Sequence, residues 1–233
     1  MAQDAPKATT EVTAVDDAAP APSGHQMFKS KFIEGDPIWM APVLVCLILG
    51  LALCIERIIY LNMATTNTAK LLEGIESALK SGGADAAKEV CSNTRGPIAG
   101  IFYQGLAREH EGIDIVEKSV IAYGGVEVGR LQSGLSWISL FIALAPMLGF
   151  LGTVIGMIFA FDQIAVANNI SPAIVAGGIK IALLTTVFGL IVAIILQIFY
   201  NYIVAKIDSI TNQMEEASID LVDMLVKDKM AKA

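Results

Sequence analysis

The sequence predicts an all-α integral membrane protein with three transmembrane helices and long helical extensions on the cytoplasmic side. Composition is the first reason. Of the 233 residues, 55% are hydrophobic and 17% charged, with a mean hydropathy of +0.62, whereas ordinary soluble domains carry roughly 25% charged residues. The second reason is that the apolar residues gather into three runs, each near or beyond the roughly 20 residues that cross a bilayer. The third is that the remaining apolar residues recur at helical spacing, while no stretch alternates as a strand would. A net charge of −7 with no basic cluster disfavours nucleic-acid binding.

Residues 1–26 combine Asp4, Glu11, Asp16 and Asp17 with Ala, Pro and Thr. They carry no signal-peptide pattern and too few large apolar side chains to pack, so they are expected to form a disordered acidic periplasmic tail. Residues 27–61 hold the N-terminal region and the first span, from about Ile38 to Leu61. Trp39 and Tyr60 stand at its two ends, where amphipathic rings favour the headgroup region. Pro42 is expected in the first helical turn, where proline is tolerated. Glu56 and Arg57 stand near the end of the run, placed either to reach headgroups or to pair with a neighbouring helix.

Residues 62–134 are polar, with seven basic and nine acidic residues. Breaks are expected at Ser81-Gly82-Gly83, at Ser92 to Pro97 and at Gly124-Gly125. Between them Leu71, Leu72, Ile75 and Leu79, and then Ile98, Ile101, Phe102 and Leu106, mark amphipathic helices that pack on one another. Residues 135–204 hold the second and third spans, about Leu135 to Phe161 and Ala173 to Val204. The loop between them, Asp162 to Pro172, has no Lys or Arg, whereas the regions on either side of the hairpin do. That asymmetry places the loop and the N-terminus outside, and residues 62–134 and the tail 205–233 in the cytoplasm. Ile203, Ile207, Ile210, Met214, Ala217, Leu221 and Met224 continue the third span as a seam with steps of four and three, so a long helix should project from the membrane.

Two faces of small residues stand out. Gly149, Gly152, Thr153, Gly156 and Ala160 share one side of the second span, and Ala182, Thr185, Thr186, Gly189 and Ala193 repeat the same offsets in the third. Such stripes let helix backbones approach closely, which makes Gly149, Gly152, Gly156 and Gly189 helix-packing positions. The threonines also admit a functional reading. Thr153, Thr186, Thr185 and Gln197 could line a proton path, because hydroxyls and amides donate and accept hydrogen bonds. A hydroxyl does not store a proton at neutral pH, and neither span contains Asp or Glu, so the titrating carboxylate has to come from elsewhere. Lys180 is the one formal charge inside the third span. It either snorkels to the outer interface or forms a charge pair with a carboxylate, and it sits about 120° around the helix from Thr186 at roughly 100° per residue.

Cys46, Cys54 and Cys91 are read as small apolar fillers, and His25 and His110 stand apart, so no metal or other cofactor is expected. There is no phosphate-binding G-x-x-x-x-G-K and no Ser/His/Asp set, which argues against an enzyme.

The run from Ala145 to Gly156, APMLGFLGTVIG, resembles the second-span motif of the MotA/TolQ/ExbB proton channel family. Gly178-Ile179, Ala182 to Thr186 and Gly189-Leu190 resemble its third-span motif, and Glu56 to Leu61 its first-span ending. Three spans and a large cytoplasmic loop are similar to the ExbB and TolQ branches, ExbB first, rather than to the four-span MotA proteins. The resemblance implies a homopentamer in the cell inner membrane, in contact with membrane lipid, around two ExbD-like single-span partners that bring the titrating aspartate. It further implies use of the proton-motive force to energise a TonB-like protein for outer-membrane transport, with Thr153 and Thr186 as the cavity threonines. One departure stands out: many ExbB and TolQ members carry a Glu where this chain has Ile181, next to Lys180. The competing readings are a TolQ-like subunit for envelope maintenance, a solute transporter, and a non-transporting membrane scaffold.

Overall fold

A computed structural model describes residues 24–35, 37–167 and 172–232. The expected tail lies outside the described residues up to position 23, and residues 24–26 already belong to the first helix. The helices are α1 (Gly24–Glu34), α2 (Pro37–Ala64), α3 (Thr68–Asn93), α4 (Pro97–Ala107), α5 (Ile113–Gln132), α6 (Leu135–Ala167) and α7 (Pro172–Lys232), with a 3-10 turn at Glu109–Glu111. Among the described residues there is no strand. Three of the helices, α2, α6 and α7, are long and apolar enough to cross a membrane. Their outward-facing residues, such as Leu44, Ile48, Phe150, Ile158, Ile194 and Ile198, are exposed on the chain, as a hydrocarbon solvent requires.

Local chemistry sets the boundaries. Asn67 caps α3, its side-chain oxygen accepting from the Lys70 amide at 3.1 Å. The expected break at Ser81-Gly82-Gly83 is a kink inside α3, where Gly83 takes φ +70°, a conformation that costs glycine little. The break at Gly124-Gly125 does not occur, because both residues lie within α5. Helix α2 begins at Pro37, which moves Pro42 from the first turn into the second. Between α5 and α6, Gly134 at φ +83° turns the chain with the Arg57 guanidinium packed against it. Arg57 also pairs with Glu56 at 3.1 Å and lies over the Tyr60 ring, so both charges stay at the end of α2.

Helix α7 has 61 residues, about 90 Å at 1.5 Å per residue, three times the hydrocarbon thickness. Its far half meets α3, α4 and α5 in one apolar core built from Leu71, Ile75, Leu79, Ile98, Ile101, Phe102 and Leu106, all nearly solvent-free. Each such side chain contributes about 1.5–3 kcal/mol by leaving water. The seam of α7 runs through Ile203, Ile207, Ile210, Met214, Ala217 and Leu221 as the spacing predicts, but it ends on Leu225, with Met224 only partly buried. A straight α-helix drifts off a strict seven-residue repeat, and here a second consecutive step of four absorbs the drift.

Cys91 sits in this core at 2% exposure, and burial pushes its thiol up to about 11. It is therefore expected to resist maleimide at pH 8 in the folded protein and to react fully once denaturant opens the core, as intact-mass measurement would read.

Candidate functional site

Helices α6 and α7 form an antiparallel pair whose contact is made of backbone. A Cβ on Gly189 would lie 2.6 Å from the Ala145 carbonyl oxygen and 3.2 Å from the Gly149 Cα, and one on Gly149 would lie 2.9 Å from the Thr185 carbonyl oxygen. Gly152 faces the Thr185 side chain and Gly156 faces Ala182. The two stripes of small residues thus lie against each other. Gly178 belongs to the same contact, packed against Ala160 and 3.2 Å from the Gly156 carbonyl oxygen for a built Cβ. Its position four residues before Ala182 extends the stripe by one turn and was the signal in the sequence that would have found it.

The threonines divide. Thr185 is 1% exposed, and its hydroxyl donates to the Ala182 carbonyl at 2.8 Å within α7 and lies 3.3 Å from the Gly149 carbonyl across the pair. It is turned into the helix contact, so it belongs with the packing positions rather than on an open path. Thr186, half-buried beside it, donates to the same Gly149 carbonyl at 3.2 Å. Thr153 is half-buried on α6 and donates to its own helix at the Phe150 carbonyl, 2.6 Å away. Gln197 is exposed and donates to Asn201 at 3.0 Å. Gln197 falls about 20° from the direction of Thr186 at roughly 100° per residue, so the two stand in line along α7 without touching.

At the other end of the apolar region Lys180 has a carboxylate partner. Its Nζ lies 2.9 Å from Glu34 Oε2, the same oxygen that Lys31 Nζ approaches at 2.8 Å. Phe32 meets Phe188 edge to face at 6.4 Å between centroids. A charged and an aromatic contact thus fasten helix α1 to α7. The sequence alone leaves the partner of Lys180 open because Glu34 lies well over a hundred positions away, although each stands near one end of an apolar run.

The hydrogen bond from Lys31, then that from Lys180, holds the Glu34 carboxyl below its ordinary value of 4.5. A carboxyl lowered in the folded state adds stability above the ordinary value and loses it as pH falls through the lowered one. A spin label on Ile33→Cys is therefore expected to gain mobility as pH drops from 7 to below 4.5. In the added presence of Glu34→Gln it should be mobile throughout and lose that pH response.

Comparison with known proteins locates the helix pair within a family. The profile described as the MotA/TolQ/ExbB proton channel family matches residues 93–216. The match therefore spans α4, α5, α6 and most of α7, and leaves α1, α2 and Glu34 outside. The chain is 33% identical over 169 residues to an ExbB homologue, a biopolymer transport protein, of Methanothermobacter thermautotrophicus, covering 72% of this chain and 60% of the relative. It is 32% identical over 126 residues to the biopolymer transport protein ExbB of Pseudomonas putida, covering 52% and 37%. With that of Salmonella typhimurium it shares 37% over 83 residues, covering 35% and 34%. The chain thus spans less than two thirds of the length of each of these three relatives.

Proposed function

Because this chain belongs to the MotA/TolQ/ExbB proton channel family, we propose that it is the channel-forming subunit of an ExbB-like motor. In this reading five copies surround the membrane helices of two ExbD-like partners, and the proton-motive force moves those helices to energise a TonB-like protein for outer-membrane transport. The complex resides in the inner membrane of a Gram-negative cell, with the N-terminus periplasmic and the body of α3–α5 and the end of α7 cytoplasmic.

One observation carries the proposal. The α6–α7 pair presents Thr186, Thr153 and Gln197 as hydrogen-bonding groups, yet residues 135–161 and 173–204 contain no Asp or Glu. A proton route needs a titratable group, and a charge inside a membrane is costly enough to be kept only where it works. The chain supplies the polar wall and a partner supplies the acid. The lysine pair at Glu34 lies off this wall, on the side of α7 that α1 covers.

Native mass spectrometry of this chain co-expressed with an ExbD-like single-span protein of the same genome, in mild detergent, tests the reading. A five-to-two mass is expected. Dimers of this chain alone, or an oligomer that never retains the partner, would overturn it in favour of a scaffold. That second reading draws on the hydroxyls of Thr185 and Thr186, both engaged with the Gly149 carbonyl in packing.

A further inference from the structure

Beyond the apolar span, α7 and α5 enclose a groove of about 730 Å³. Its floor is apolar, with Ile101, Val120 and Met214, and its α5 wall is open because Gly124 and Gly125 carry no side chain. Ile121 and Ile219 stand on its two sides at 66% and 65% exposure. Large aliphatic residues exposed together in a water-facing body mark an interaction surface. Three carboxylates, Glu117, Glu215 and Asp223, stand around the groove, and none of its lining residues is Lys or Arg.

The groove also has a definite direction. At roughly 100° per residue, Thr211, Glu215 and Val222 fall within about 20° of the Thr186 direction on α7, and Ser218 within about 40°. The face of α7 that carries the threonine in the membrane therefore continues into the groove wall. Glu215 lies eleven residues past Val204, about 16 Å beyond the apolar span. A partner helix that crosses the membrane along the Thr186 face leaves it beside this groove. By the charge bias of membrane topology, the cytoplasmic flank of such a helix carries Lys and Arg.

We propose that the α5–α7 groove receives the cytoplasmic flank of the single-span partner, as a cationic segment whose large aliphatic side chains enter between Ile121 and Ile219 while its Lys or Arg side chains meet Glu117, Glu215 and Asp223. The inference rests on the motor reading above. It gives the partner an anchor on the cytoplasmic side, separate from the contacts inside the bilayer, and confines that anchor to a part of the chain with no role in the polar wall.

Photo-crosslinking in the full complex tests it. p-Benzoylphenylalanine is placed at Ile219 in one variant and at Ala193, within the membrane and about 20° from the Thr186 direction, in another. The expected result is partner adducts from both positions, with the Ile219 adduct mapping by peptide mass to the Lys- and Arg-bearing flank. Combining Glu117→Lys with Glu215→Lys should lower the Ile219 adduct roughly tenfold while sparing the Ala193 adduct. Partner adducts from Ala193 together with Ile219 adducts only to a second copy of this chain, or to lipid, would overturn the groove proposal and leave the motor standing. Absence of partner adducts from both positions would overturn the motor reading itself. An Ile219 adduct that withstands both charge reversals would overturn the electrostatic pairing.

Discussion

Gly189→Leu is expected to open the α6–α7 pair and to remove most of the folded, assembled protein from the membrane. The atoms that a side chain at this position would meet, the Ala145 carbonyl oxygen at 2.6 Å and the Gly149 Cα at 3.2 Å from its Cβ, are backbone. No rotamer change relieves them, so the helices have to separate. Overpacking alone costs about 1–3 kcal/mol in well-packed cores. Separation also removes the hydroxyl bond from Thr186 to Gly149, about 0.6 kcal/mol inside a membrane. A total of about 2–4 kcal/mol is a large share of the 5–15 kcal/mol of a typical domain. Thermal melting in detergent, with oligomer size read in parallel, should show the loss. Gly177→Ala is the matched control, since a Cβ there meets nothing within 4 Å, and it should melt as the parent does. A Gly189→Leu protein that melts and assembles normally would falsify the close approach.

The same contact shows what was legible beforehand. A helix repeats every 3.6 residues whatever surrounds it, so the stripes through Gly149, Gly152 and Gly156 and through Ala182, Thr185 and Gly189 could be read from spacing, as could the apolar rows of α3 and α4. Rotation about the helix axis could not. Thr185 and Thr186 are adjacent and differ by about 100°, so which one is fully buried in the contact is set by how α7 is turned against α6. The pair between Lys180 and Glu34 is a meeting of distant segments, which no local period encodes. Helix α1 itself was hidden because it starts inside a stretch whose composition reads as a tail. The end of the α7 seam moved from Met224 to Leu225 for a related reason. A heptad template suits a supercoil, and this helix packs on three separate helices of its own chain.

Thr186→Val is expected to leave the protein folded and assembled while cutting proton-coupled activity roughly tenfold or more, the effect of about 1.4 kcal/mol on a rate. Valine keeps the shape and removes the hydroxyl. The structural loss is a single 3.2 Å bond at a half-buried position, so melting should shift little. On the proposed polar wall the same change deletes a group that both donates and accepts, and valine can do neither. Thr185→Val reverses the pattern. Its hydroxyl is buried between two carbonyls, and its removal should lower stability, with activity falling only as the amount of folded complex falls. Proton flux into liposomes holding the complex with the proposed ExbD-like partner, normalised to assembled protein, separates the two. If Thr186→Val conducted as the parent does, the hydroxyl would be a packing group like its neighbour, and the proton would have to pass along the partner helix without help from this wall.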